Sequence, residues 1–195
     1  MGRPRDFDEA EVIRAARDQF WRTGYAGTSI VDLTTATGLG KGSLYGAFED
    51  KHNLYVRAFD DYCTTAIADI REQLLEDPRP AIERLRAHVM GQVKNVVADK
   101  EHRGCMLTKG TAELAGQDPE VTERAQRTFV EYEKILVACV REAQRDEDID
   151  PEADALALAG LLLTVLRGLD ALGKAGMSRK FLFRTAETAL KALPV

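Results

Sequence analysis

Residues 28–48 read TSIVDLTTATGLGKGSLYGAF, two runs of about eight residues with helical patterning joined by a Gly-Leu-Gly turn. Isolated helices shorter than about 12–15 residues are marginal in water, so neither run stands without packing. Ile30, Leu33 and Ala36 form the inner face of the first run, and Leu39, Leu44 and Phe48 that of the second. A longer helix over residues 8–23, with Ile13, Ala16 and Phe20 on one face and Gly24 to end it, closes a three-helix core. Thr28 or Ser29 caps the first short helix, with Asp32 in its first turn, and Gly38 ends it. The second short helix, residues 41–48, is then held outward on a rigid support, which is helix-turn-helix geometry.

The remainder also reads as helix. No segment alternates apolar and polar residues ahead of a hairpin turn. Asp50 caps a long helix over residues 51–76, and Pro78 and Pro80 open one reaching residue 97. Helices are expected over residues 105–115, from Asp118-Pro119 to 145, from Asp150-Pro151 to 172, and from Ser178 to 193. The fold class is therefore all-α, with about nine helices in two parts. Residues 1–52 form the helix-turn-helix domain, with the motif at about 29–48, and residues 53–195 a larger helical domain.

Composition narrows the class. Of 195 residues, 45% are hydrophobic and 30% charged, with a net charge of −5. That excludes a disordered polyelectrolyte and a collagen-like repeat, and binding to nucleic acid by bulk basicity. Cys63, Cys105 and Cys139 are odd in number, widely spaced and without a CxxC, which points to a reducing, cytoplasmic setting and to neither disulfides nor a metal site. The N-terminal residues lack the apolar run of a secretory signal. The apolar stretch 153–173 is interrupted by Asp154, Thr164, Arg167 and Asp170, so it reads as a buried helix rather than a membrane span.

The outward face of the second short helix is chemically specific. Lys41 and Tyr45 share a face at i, i+4, and Gly42 and Gly46 flatten the surface beside it. Glycine inside a helix costs about 0.5–1 kcal/mol relative to alanine. Two of them suit close approach by another surface, such as the wall of a DNA major groove. Ser43 offers a hydroxyl for a base edge or phosphate.

Residues 7–54 resemble the DNA-binding domain of the TetR family of bacterial transcriptional regulators. Gly24-Tyr25, Thr28-Ser29, Ile30, Asp32-Leu33, Gly38, Lys41-Gly42-Ser43-Leu44-Tyr45, Phe48, Lys51 and Leu54 carry the resemblance, with Gly2-Arg3-Pro4-Arg5 ahead of them. Farther along, Arg103-Gly104-Cys105-Met106 leading to Asp118-Pro119-Glu120 resembles one branch of the family's C-terminal domains. The resemblance implies a repressor, not an enzyme, released from a palindromic operator by a small-molecule effector. It implies phosphate contacts at Thr28, Tyr45 and Lys51, with Ser29 beside them, and base-reading positions at Lys41, Gly42 and Ser43. Arg3 and Arg5 would follow the backbone or enter a minor groove. Two positions depart from the family pattern: Gly40 stands where a capping serine is usual, and Ala47 where histidine or tyrosine is common. Residues 1–52 hold seven Lys/Arg against eight Asp/Glu, so phosphate binding must rest on local placement. This acidity keeps open a second reading, a helical protein-interaction adaptor without DNA binding.

Residues 155–172 are apolar nearly all round, and the last helix carries an apolar stripe. Leu156, Gly160, Leu163, Leu182, Ala186 and Leu190 are the expected homodimer interface, a four-helix bundle shared by two subunits under the resemblance. Tyr62, Cys63, Met90, Cys105, Met106, Phe129, Tyr132 and Arg167 are the expected lining of an effector pocket, for which an apolar or amphipathic ligand is the default. Cys105 follows Arg103-Gly104 at an expected helix start, where cation and helix terminus both favour a thiolate. That leaves an oxidant or electrophile sensor open, and a small enzyme using Cys105 as a third reading. Gly40-Lys41-Gly42-Ser43 is not a phosphate loop, because Ala36 and Gly42 occupy the places where that motif needs glycine and Ser/Thr. No cofactor is expected.

Overall fold

The computed structural model describes residues 7–194, in which the chain forms nine α-helices and no strand. Arg3 and Arg5 lie outside the described residues.

Helix α1 (Glu9–Gly27) is capped by Asp8, whose Oδ1 accepts from the Ala10 amide at 2.8 Å. Gly24, at φ 80° and ψ 175°, breaks it as the sequence leads one to expect, but a further turn follows before Thr28. Helix α2 (Ile30–Thr37) opens on a reciprocal cap: the Ser29 amide donates to Asp32 Oδ2 at 2.8 Å, and the Asp32 amide to Ser29 Oγ at 3.1 Å. Gly38, at φ 68°, ends it. Helix α3 (Lys41–Phe48) starts at Gly40 with no side-chain cap, so packing alone holds its N-terminus. Helix α4 (Lys51–Arg71), capped by Asp50, runs on through a π-helical turn at Glu72–Glu76.

Five helices complete the fold: α5 (Ala81–Ala98), α6 (Met106–Leu114), α7 (Pro119–Arg145), α8 (Ala155–Lys174) and α9 (Arg179–Lys191). The start of α8 departs from expectation. Asp154, not Asp150-Pro151, is its cap, with Oδ1 accepting from Leu156 and Ala157. The Asp150 amide instead donates to the Pro194 carbonyl at 3.0 Å, which fixes residues 150–153 as a turn.

Two apolar cores form. The first joins Val12, Ala16, Phe20, Leu33, Leu44 and Phe48 of the first three helices to Phe59, Cys63, Met106, Val121 and Ala125. The helix-turn-helix is thus seated on α4, α6 and α7. Ala36, expected on its inner face, is exposed. The second core packs α5, α7, α8 and α9 through Leu85, Val89, Leu136, Val140, Leu162 and Leu166. Leu182 and Ala186 belong to it, at 2% and 0% exposure, and this corrects their place at a dimer interface. The α9 stripe is needed to cover α5 and α8 within one protomer. Leu156 is exposed, and Gly160, Leu163 and Leu190 are half-buried. Helix α8 is long and apolar enough to cross a membrane, but Leu162, Leu166 and Leu169 on one face are buried in this core.

Candidate nucleic-acid interface and ligand cavity

Helix α3 meets the first core through Leu44 and Phe48 and turns the rest outward. Lys41, Gly42, Ser43 and Gly46 are exposed and Tyr45 half-buried. A Cβ at Gly42 or Gly46 would meet nothing within 4 Å, so nothing in the protomer itself requires glycine there. The Lys41 ammonium sits 5.6 Å from the centre of the Tyr45 ring. Lys51, at the first turn of α4, lies 4.4 Å over the Tyr25 ring. These five residues, Lys41 to Ser43 with Tyr45 and Lys51, lie on consecutive elements.

Thr28 does not join them. It is 1% exposed, and its hydroxyl donates to the Gly24 carbonyl at 2.6 Å, beside Thr23 Oγ1. The break in α1 needs that donor, which corrects the expectation of a phosphate contact from this side chain. Ser29 is exposed, but its hydroxyl is engaged by Asp32 Oδ2 at 2.7 Å.

Farther along the chain, a cavity of about 620 Å³ opens among α1, α4, α5, α7 and α8 and the start of α6. Of the eight expected lining residues, Tyr62, Cys63, Cys105, Tyr132 and Arg167 are on its wall. Met90, Met106 and Phe129 are not: Met106 is fully inside the first core, and Met90 and Phe129 pack against the edges of the two cores. The wall also carries His88, Gln73, Gln92 and Asp170, which the sequence reading passed over. A signal for them existed. His88 and Gln92 interrupt the apolar stripe of α5 at i, i+4, and Arg167 and Asp170 interrupt that of α8.

These groups form one connected polar wall. His88 is bonded to Tyr132 Oη at 2.5 Å through Nε2 and to Gln73 Oε1 at 2.9 Å through Nδ1. Gln73 Oε1 can only accept, so Nδ1 carries the proton and Nε2 accepts from the tyrosine. Gln92 donates to Asp170 Oδ1, and Arg167 pairs with Asp170 Oδ2 at 3.0 Å. Arg167 Nη1 also donates to Cys105 Sγ at 3.0 Å, and Tyr62 Oη to the same sulfur at 3.6 Å. The cation beside Cys105 is therefore Arg167, not Arg103. Arg103 is turned to Asp99 and stacks on the Trp21 ring at 4.5 Å. Cys105 itself is the residue that precedes the first turn of α6. The other arginine on the wall, Arg17, is paired with Asp61 at 2.8 Å.

Burial sets the protonation of this wall. His88 is pushed down to about 4 by desolvation, with the Arg167 charge adding to the effect, so it is neutral at pH 7. Desolvation also raises Tyr132 and Asp170, the latter against the pull of Arg167. The depressed His88 has a measurable consequence. Between an unfolded value of 6.5 and a folded value of about 4, the unfolded chain binds a proton that the native chain refuses. This stability is complete above pH 6.5 and is lost as pH falls toward 4. Urea denaturation at pH 7 and pH 4.5 should show His88→Gln losing about 2–3 kcal/mol less than the parent over this interval. Equal losses would mean that His88 is not buried in its neutral form.

Comparison with known proteins bears on both features. Residues 12–58 match the profile of bacterial regulatory proteins of the tetR family, and residues 81–188, more than half the chain, match that of the tetracyclin repressor-like C-terminal domain. The chain belongs to the TetR family. Two relatives from Escherichia coli K12 are similar over almost the full length. They are the transcriptional repressor ComR, 26% identical over 194 residues (99% of this chain and 92% of the relative), and the repressor BdcR, 27% identical over 194 residues (98% and 92%). Among solved structures, a cysteine mutant of the TetR-family regulator CifR bound to 26-bp operator DNA is 31% identical. It matches with a TM-score of 0.82, covering 99% of this chain and all of that one. This TetR-family chain is a DNA-binding transcriptional regulator, and its helix-turn-helix at α2 and α3 lies within residues 12–58, which match the family's regulatory-protein profile.

Proposed function

We propose that the chain is a cytoplasmic homodimeric repressor that holds a palindromic operator through α3 and releases it when an apolar or amphipathic small molecule without negative charge occupies the cavity. The observation that carries this reading is the outward face of α3. Lys41, Gly42, Ser43 and Tyr45 are presented on a rigid, fully packed support, and two glycines are left open where the protomer has no use for them. Lys41 and Ser43 supply base-edge donors, and Tyr45 and Lys51 contact phosphates. Arg3 and Arg5 precede the described residues and extend the contact along the duplex. Residues 1–52 act as the reading head and residues 53–195 as the effector and dimer domain.

Dimerisation uses the uncovered face of α8, where Leu156 and Leu161 are 55% and 44% exposed, with Gly160, Leu163 and Leu190 at its margin. Two-fold symmetry then sets two half-sites about one helical turn, or a multiple of it, apart. The effector carries no negative charge, because each arginine of the cavity wall already has its carboxylate and His88 is neutral. A negative charge entering there would lack a counter-ion, whereas the exposed Asp69 on the same wall leaves a carboxylate for a positive one. The wall offers it Gln73, Gln92, Tyr62 and Tyr132 for hydrogen bonds.

Selection of bound duplexes from a random DNA library, repeated at two salt concentrations, tests the reading. One palindromic sequence should survive the higher salt, whereas the phosphate contribution falls steeply with salt. Recovery of unrelated, salt-labile sequences, or of none, would favour the adaptor reading, which the acidic balance of residues 1–52 also suits.

A further inference from the structure

The break in α1 leaves backbone groups on both sides without helical partners, and both sets are satisfied by one short helix far along the chain. Lys109 Nζ donates to the Trp21 and Arg22 carbonyls, each at 2.9 Å, on the near side of Gly24. Glu113 accepts on the far side, Oε2 from the Tyr25 amide at 2.9 Å and Oε1 from the Ala26 amide at 2.6 Å. Lys109 and Glu113 are i, i+4 on α6, so one helical face caps both the main body of α1 and the single turn, residues 25–27, beyond the break. A cation meets the C-terminal end of one and an anion the N-terminal end of the other, which is the favourable sense at each terminus. The fit is close: a Cβ at Gly24 would stand 2.8 Å from Glu113 Oε2. The other end of α6 is part of the cavity wall. Cys105 precedes its first turn, held by Arg167, and the Gly104 carbonyl accepts from Trp21 Nε1 at 2.6 Å.

We propose that Lys109 and Glu113 are positioning residues for DNA binding: they transmit displacement of the Cys105 end of α6 to the break at Gly24, and so to the orientation of α2 and α3. The route is short and each joint is identified. A group pressing on Cys105 shifts the start of α6. The two caps move with the helix, the Gly24 break is released or re-angled, and Thr28 and Ser29, one turn farther on, carry the change into the reading head. Helix α6 touches both the cavity and α1, and its Lys109 and Glu113 cap α1 on both sides of the break.

The test uses iodoacetamide as a surrogate occupant. Cys63 and Cys139 have no exposed surface and Cys105 is half-buried on the cavity wall, so one adduct forms at Cys105. Its Sγ–carbon bond forms as the carbon–iodine bond breaks, iodide leaves, and the thiol proton passes to solvent. Affinity for the selected operator duplex is measured before and after alkylation in the parent and in the Lys109→Met/Glu113→Gln variant, with Cys105→Ser as the control for adducts elsewhere. Alkylation should weaken parental binding by roughly 5- to 100-fold, the usual span of coupling between two sites, and that of the variant by less than about twofold. An equal factor in both proteins would make the two residues structural props and overturn the proposal, as would a parent unaffected by alkylation. The operator arm rests on the DNA-binding reading. If the unmodified parent binds no duplex, that reading fails, and amide exchange at Tyr25 and Ala26 decides the link without DNA. Exchange there should rise on alkylation of the parent, and unchanged protection would refute the link.

Discussion

Replacing Lys41 and Tyr45 together by alanine is expected to weaken operator binding by about a hundredfold or more, since each specific contact at a base edge or in its immediate frame is worth about 1–3 kcal/mol. The oligomeric state should not change. Lys41 is exposed and Tyr45 half-buried, whereas the residues that seat α3, Leu44 and Phe48, are untouched. Substitutions at such surface positions usually move stability by no more than about 0.5 kcal/mol. Titration of the selected duplex, with size-exclusion chromatography of the variant alongside, separates loss of the reading surface from loss of the fold. A variant that elutes as the parent does and binds within twofold would remove α3 from the reading role.

The second large effect is on stability. Phe59→Ala should cost about 3–5 kcal/mol in urea denaturation, the usual price of emptying a buried aromatic site. Phe59 is 0% exposed, stacks on Tyr55 with ring centres 5.8 Å apart, and abuts Gly110 so closely that a Cβ there would lie 2.7 Å from its ring. With rigid helices α4 and α6 on either side, the space cannot collapse cheaply. The head shares this core with α6 and α7, so the loss should reach operator binding as well. Val31→Ala, at a side chain 72% exposed on α2, is the matched control and should change stability by less than about 0.5 kcal/mol. A cost under about 1 kcal/mol for Phe59→Ala would mean that the first core is not packed as described.

Many of the helix starts are legible along the chain because their signals are short-range. Ser29 with Asp32, Asp50 with the amide of Asn53, Asp118 ahead of Pro119 and Ser178 ahead of Phe181 each act within four residues, and each marks a helix start in the structure. Gly24 and Gly38 adopt the positive φ that only glycine takes freely, and both breaks are visible as punctuation. Where two short-range signals competed, the reading failed. Asp150-Pro151 and Asp154 are equally good caps locally, and the bond from Asp150 to Pro194 decided between them. The same limit explains Leu182 and Ala186. An apolar stripe shows that a face is covered, not whether α5 of the same chain or a second protomer covers it.

The sequence by itself determined the helical class, the positions of most helix ends, the outward chemistry of α3 and, through the residues of the first fifty positions, the family. Those properties depend on backbone preference and on neighbours one or two turns away. Only the tertiary structure decided which polar groups meet. His88, Tyr132, Arg167 and Cys105 come from four separate stretches and converge on one wall. Lys109 and Glu113 reach a helix break more than eighty residues earlier. Distances between helices follow from how side chains interlock across the whole core, and no spacing along a single helix encodes them.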